Sequence, residues 1–190
     1  ASFAYLSGTG NSFRAAEWMA GETRAAGLET RVVPIDRFKV ERDLPEGEGS
    51  LLGLLFPTHG FTAPWLVIWF ALRLPRMHGW DAFVIPTRAG TRFGTVCLPG
   101  MEGTAGWLVS LILALKGCRI RGVMGLDMPA NWMALHPGLG KKSVEIINGR
   151  ARVKAGDFIG HILGGRTRFR GFVPLALGLA LLPVSAGYIL

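Results

Sequence analysis

SGTGNS, residues 7–12, lies between a short apolar run, FAYL (3–6), and SFRAAEWMAGETRAAG (12–27), whose apolar residues recur at helical spacing. Gly8 and Gly10 open backbone geometries closed to other residues. Ser7, Thr9, Asn11 and Ser12 add hydroxyl and amide groups, and the following helix turns its positive end toward the same spot. A strand, a small polar loop and a helix start in that order read as an anion site, most simply for a phosphate. The alternative is an ordinary strand-to-helix turn in which Asn11 or Ser12 caps the helix. The loop lacks the lysine of a G-x-x-x-x-G-K-[ST] triphosphate loop. It also departs from the dinucleotide pattern G-x-G-x-x-G, because Phe13 stands at the third glycine position.

The rest of the chain sets the frame for that loop. At 190 residues there is room for one good-sized domain and a tail. With 49% apolar and 18% charged residues, the chain has the composition of a folded protein and excludes disorder. Part of the apolar excess is local: GFVPLALGLALLPVSAGYIL (171–190) carries no charge. As a helix it would be about 30 Å long, near the thickness of a bilayer core, although Pro174 and Pro183 interrupt it. Residues 141–170 hold eight Lys or Arg against Glu145 and Asp157, and so supply much of the net charge of +8. A basic stretch ahead of an apolar one suits an anionic membrane surface. Nucleic acid is disfavoured, because no recognition module accompanies the charge. Cys97 and Cys118 are too few and too far apart for a disulfide framework or a metal site, and His78, His136 and His161 show no ligand spacing.

Five strand-like runs punctuate the chain: SFAYL (2–6), TRVVPI (30–35), SLLGLLFP (50–57), DAFVIPT (81–87) and RIRGVMGLDM (119–128). Helix-capable segments separate them at 12–26, 64–74 and 102–116, and a further one follows at 141–163; the connection at 36–49 has room only for a short helix. Alternating strand and helix predicts a parallel sheet covered on both faces, and LLGLLF fits a strand buried on both sides. The expected architecture is a three-layer α/β sandwich with a five-stranded parallel sheet of order 2-1-3-4-5 and an apolar C-terminal tail. In that order the ligand lies where the carboxyl ends of the strands converge. Trp69, Phe70 and Leu72 in the third helix, and Trp107, Leu108 and Leu111 in the fourth, read as core.

YLSGTGNS resembles the phosphate loop of flavodoxin-like proteins, in particular flavodoxin-like domains fused to a bacterial-type 4Fe-4S ferredoxin. FPTHGFTAPWLVIWFAL (56–72) is similar to that family's loop after strand 3, and DMPANW (127–132) to its turn after strand 5. The resemblance covers roughly residues 2–163. It implies FMN, with the phosphate at Ser7, Gly8, Thr9, Gly10, Asn11 and Ser12. The ring would lie between Pro57, Thr58, His59, Gly60 and Phe61 on one side and the loop of Thr87, Arg88, Ala89, Gly90, Thr91 and Gly94 on the other. Phe61 could stack on the ring, His59 could couple proton to electron transfer, and Arg88 and Arg92 would raise the flavin potential if their charge faced it. Asn131 and Trp132 would close one side.

The resemblance also implies a partner, a ferredoxin-type iron–sulfur domain or protein. Its 4Fe-4S clusters would belong to this chain only if a ferredoxin part followed residue 190. The sequence starts on a strand without Met and stops before any cysteine-rich segment, so it is read as a fragment: 1–163 an FMN-binding domain, 164–190 a basic hinge and apolar tail. No secretory signal is read at the start, which points to the cytoplasm, with the inner face of the membrane as the alternative. The function expected is that of an electron carrier between the flavin and an iron–sulfur partner. Two others stay open, a flavin-dependent NAD(P)H or quinone oxidoreductase and a membrane-anchored scaffold that has lost the cofactor.

Overall fold

A computed structural model describes residues 1–44, 47, 49–130, 139–181 and 183–184. The elements run β1 (Ser2–Tyr5), α1 (Asn11–Ala25), β2 (Arg31–Pro34), α2 (Val40–Asp43), β3 (Leu51–Pro57), α3 (Trp65–Arg73), β4 (Asp81–Phe93), β5 (Val96–Leu98), α4 (Ala105–Leu115), β6 (Arg119–Val123), β7 (Leu126–Pro129), α5 (Lys141–Leu163), β8 (Arg168–Phe169) and α6 (Phe172–Ala180). The sheet order is β2-β1-β3-β4-β6-β8, all parallel; β7 also pairs with β4 in parallel and β5 pairs with it antiparallel.

The expected order 2-1-3-4-5 is therefore present, with β6 and β7 together forming the fifth strand. Three details differ from the sequence reading. The fifth run is broken at Met124–Gly125, because Glu102 lies against the chain there and a Cβ on Gly125 would come within 2.5 Å of its carboxyl. The fourth strand does not stop at Thr87 but continues to Phe93 and folds back as β5, so TRAGTRFG is strand and hairpin instead of a loop. Residues 168–169, within the segment read as a hinge, pair with Gly122 and Val123 as an edge strand.

The continuous apolar run of β3 divides its side chains between two cores. Leu52, Leu54 and Phe56 meet Val67, Ile68 and Ala71 of α3 and Val109, Ile112 and Leu113 of α4. Leu51 and Leu55 meet α1 and α5, through Ala15, Ala16, Met19 and Ala20 and through Ala155, Phe158 and Ile159. Phe3 and Phe83 meet edge to face, 5.1 Å between centroids, over Gly53. A side chain there has no space, since a Cβ would lie 2.4 Å from Phe83.

The outer faces of α3 and α4 are a correction. Phe70 and Leu108 pack against the core, but Trp69 is 46% exposed, Leu72 45% and Leu111 57%. Apolar periodicity marks the side that meets the sheet. These two helices are apolar on the opposite side as well, which the sheet cannot cover. Phe13 at the start of α1 is also exposed, lying against Tyr5 at 5.1 Å.

The described part of the apolar tail forms α6, nine residues long. Among the described residues no helix is long and apolar enough to cross a membrane. Gly178 rests on Gly103 and Thr104, and Trp107 stacks on Phe169 and meets Phe172.

Below the sheet, Asp43 closes α2 in a buried position. Its carboxylate accepts from Arg42 at 2.7 Å and from the Lys39 N–H at 2.8 Å. The Arg42 hydrogen bond holds its pKa below the ordinary carboxylate value, against the opposing effect of burial. A lowered folded pKa stabilises above the unfolded value, about 3.9, and that stability disappears as pH falls through the folded one. Asp43→Asn should therefore lower the Tm at pH 7, and the gap from wild type should close as the melts are taken down through pH 3. A gap that stayed constant with pH would remove this account.

Candidate functional site

The carboxyl ends of β1, β3 and β7 and the middle of β4, at Thr87–Ala89, surround a cavity of about 490 Å3. Leu6 donates its N–H to the Leu55 carbonyl at 3.0 Å, which keeps β1 against β3 until the chain turns away at Ser7. The turn ends on Gly10 at φ 84°, a conformation that favours glycine, and α1 starts there. Neither Asn11 nor Ser12 caps the helix; its N-cap is Gly10, which has no side chain to do so. Asn11 instead donates its amide to the Pro129 carbonyl at 3.1 Å, tying the loop to β7. The buried Ser12 hydroxyl meets that of Thr87 at 3.0 Å, tying α1 to β4. A helix start with a glycine N-cap, whose Asn11 and Ser12 side chains are bonded elsewhere, is a favourable place for an anion at the edge of the cavity.

The opposite wall comes from the end of β3. Thr58 donates its N–H to the Thr87 carbonyl at 2.9 Å, and His59 and Thr62 exchange backbone hydrogen bonds, giving a tight turn over His59–Thr62. Among the described residues the Thr58 hydroxyl has no hydrogen-bonding partner, although it is buried on this wall. A buried hydroxyl without a partner is rare in folded proteins and marks a place where a ligand atom completes the bonding.

Of the residues expected here, the cavity brings together Ser7, Gly8, Thr9, Asn11, Ser12, Pro57, Thr58, His59, Gly60, Thr87, Arg88 and Ala89. Gly10 forms the turn behind them. Three others are carried off by the extension of β4: Gly90 and Thr91 line a second cavity of about 510 Å3 between the β4–β5 hairpin and α5, and Gly94 makes the hairpin turn at φ 57°. Phe61 is also not in the wall. It sits at φ 62°, and its carbonyl accepts from the Thr104 N–H at 2.8 Å. Asn131, Trp132 and His136 lie outside the described residues. Met128 and Pro129 complete the wall, and the sequence reading passed over both although they belong to DMPANW.

Arg88 does not present a free charge. Its guanidinium is paired with Glu102 and, at 2.7 and 3.2 Å, with Asp127, which also accepts from Lys154 at 3.2 Å and from the Gly100 N–H at 2.9 Å. Burial opposes the charge on Arg88, but the two carboxylates outweigh it and hold its pKa above the ordinary value. Arg92 points to α5, 3.4 Å from the Ser143 hydroxyl. No carboxylate lines the 490 Å3 cavity among the described residues, so its wall suits an anion. Cys118 is far from this chemistry, because burial, followed by the charge of Asp81, pushes its thiol up to about 11.

No protein-family model and no curated protein sequence matches the chain. Solved structures do. A flavodoxin from Streptococcus pneumonia TIGR4 is similar over 80% of this chain and 97% of its own, with a TM-score of 0.54 and 16% identity. Oxidised flavodoxin 2 from Bacillus cereus covers 82% and 96%, with a TM-score of 0.53 and 18% identity. Rubredoxin oxygen:oxidoreductase from Desulfovibrio gigas is similar over 86% of this chain but 36% of its own, with a TM-score of 0.53 and 12% identity. The chain has the flavodoxin fold.

Proposed function

We propose that the chain binds FMN in the 490 Å3 cavity and serves as an electron-transfer protein. The observation that carries this reading is the meeting, in one cavity, of a helix start with a glycine N-cap and a buried Thr58 hydroxyl without a partner among the described residues. The first suits a phosphate monoester and the second a polar atom of the group attached to it. The volume is in the usual range for a small-molecule site, roughly 300–1,000 Å3. When bound, the flavin supplies one- or two-electron chemistry.

The chain's own residues bind and orient. Ser7 to Ser12 hold the phosphate, Thr58 donates its hydroxyl, and Pro57–Gly60 and Arg88–Ala89 flank the flat part of the ligand. Arg88, neutralised by Glu102 and Asp127, contributes shape and N–H groups more than net charge. The resemblance of YLSGTGNS and its companion loops to ferredoxin-fused proteins supports an iron–sulfur protein as partner, and we propose a cytoplasmic location.

The direct test is titration of the full chain with FMN, following flavin fluorescence. Saturable quenching with an affinity of micromolar or better is expected, and a chain that leaves FMN fluorescence unchanged would end the proposal. The second cavity, farther along β4 than the first, is the observation that favours an oxidoreductase as the other reading. Stopped-flow mixing of the FMN complex with NADPH, with a quinone present as electron acceptor, separates the two, since NADPH does not reduce the flavin of a carrier at a useful rate.

A further inference from the structure

The outer surface of the α3–α4 layer has no task in the proposed function. On α3, Trp65, Leu66, Trp69 and Leu72 are each 45–51% exposed, at positions i, i+1, i+4 and i+7 opposite the buried Val67, Ile68 and Ala71. On α4, Leu111 and Leu115 are 57% and 78% exposed on the side opposite Val109 and Leu113. The helices share one core, and Lys116 donates from Nζ to the Leu72 carbonyl at 2.6 Å, joining their C-terminal ends into one surface. The two indoles lie 6.0 Å apart, and the Arg73 guanidinium sits 5.5 Å above the ring of Trp69.

Large contiguous apolar patches are unusual on a free surface and mark what the surface meets. Charge indicates the partner here. From residue 49 to 126 the chain has two carboxylates, Asp81 and Glu102, and both are paired with arginine. Neither α3 nor α4 contains an acidic residue, while Arg73, Arg76 and Lys116 gather where the helices end. A protein interface of this size ordinarily has a polar rim of mixed sign. Tryptophans and leucines on two helices whose own charges, with the residues that end them, are all basic fit the boundary between acyl chains and anionic headgroups, where indole rings settle and long basic side chains reach outward.

We infer that the α3–α4 face docks the protein on an anionic lipid bilayer, lying on it and not spanning it. The inference is independent of what the cavity binds. It also differs from attachment through the apolar tail, because α3 and α4 belong to the sandwich itself.

Co-sedimentation of the full chain with phosphatidylglycerol-containing vesicles tests it, with pure phosphatidylcholine vesicles as the comparison. Binding to the anionic vesicles should weaken with added salt, as expected when charge assists. Trp65→Ser/Trp69→Ser should reduce it by roughly tenfold or more, the scale set by losing two interfacial aromatics. Both side chains are half exposed, so the fold should survive, which circular dichroism checks. Arg73→Glu/Arg76→Glu gives a second variant that removes no apolar contact and should also lose binding. Phe172→Ser/Leu177→Ser, on α6, should retain most of it. The inference is overturned if the wild type does not bind anionic vesicles, or if the α6 variant abolishes binding while the tryptophan variant binds normally. It is equally overturned if the face instead drives self-association, seen as a mass that rises with concentration and falls in the tryptophan variant, without vesicle binding.

Discussion

Thr9→Asp is expected to abolish FMN binding at concentrations where the wild type is saturated, with circular dichroism and Tm unchanged. Thr9 is exposed, at the tip of the loop between β1 and α1, so a carboxylate there stays in contact with water. It would stand beside the place where a phosphate meets the start of α1. A unit charge about 4 Å from a like charge near a protein surface costs on the order of 4 kcal/mol, roughly a thousandfold in affinity. Ser12 is less suitable for the same change: it is 1% exposed and bonded to Thr87, so an aspartate there would disturb the fold as well as the ligand. A Thr9→Asp protein that bound FMN as tightly as wild type would place the phosphate elsewhere.

Arg88→Met should be among the most destabilising single substitutions in the chain. The Arg88 and Glu102 side chains are 13% and 3% exposed, and removing the guanidinium strips Glu102 of its ion-pair partner in a place water barely reaches. Breaking a buried pair from one side costs about 3–5 kcal/mol. Removing the second charge too, in Arg88→Met/Glu102→Met, should recover a large part of that loss, since apolar groups of similar size replace a buried pair at little net cost. Urea unfolding of the two variants measures both quantities. A single variant within about 1 kcal/mol of wild type would mean that the pairing contributes no more than a surface contact.

The parts of this molecule that could be read from its sequence are those set by neighbours along the chain. The strand–helix alternation, the small polar loop ahead of α1 and the extent of α5, expected and found at 141–163, all depend on local periodicity and glycine spacing. The pairing of Arg88 could not be read, because Glu102 and Asp127 reach it from 14 and 39 residues away. The break between β6 and β7 has the same origin, since Gly125 is passed by a carboxylate from the loop between β5 and α4. The extension of β4 took Gly90, Thr91 and Gly94 away from the cavity, and polar residues with two glycines gave no sign that they would be strand. Trp69, Leu72 and Leu111 were misplaced for a different reason. A helix that is apolar all round has no polar stripe to show which side faces water.

The short strand β8 bears on where this folding unit ends. Its two residues occupy the edge of β6 that a five-stranded sheet would leave open, with the Arg170 N–H donating to the Val123 carbonyl at 2.8 Å and Phe169 covering the ring of Trp107. A chain cut after residue 163, where composition suggests a boundary, would uncover an unpaired strand edge beside an indole. Such an edge invites pairing with another molecule, so the shortened protein should be harder to keep from aggregating than the longer and greasier one.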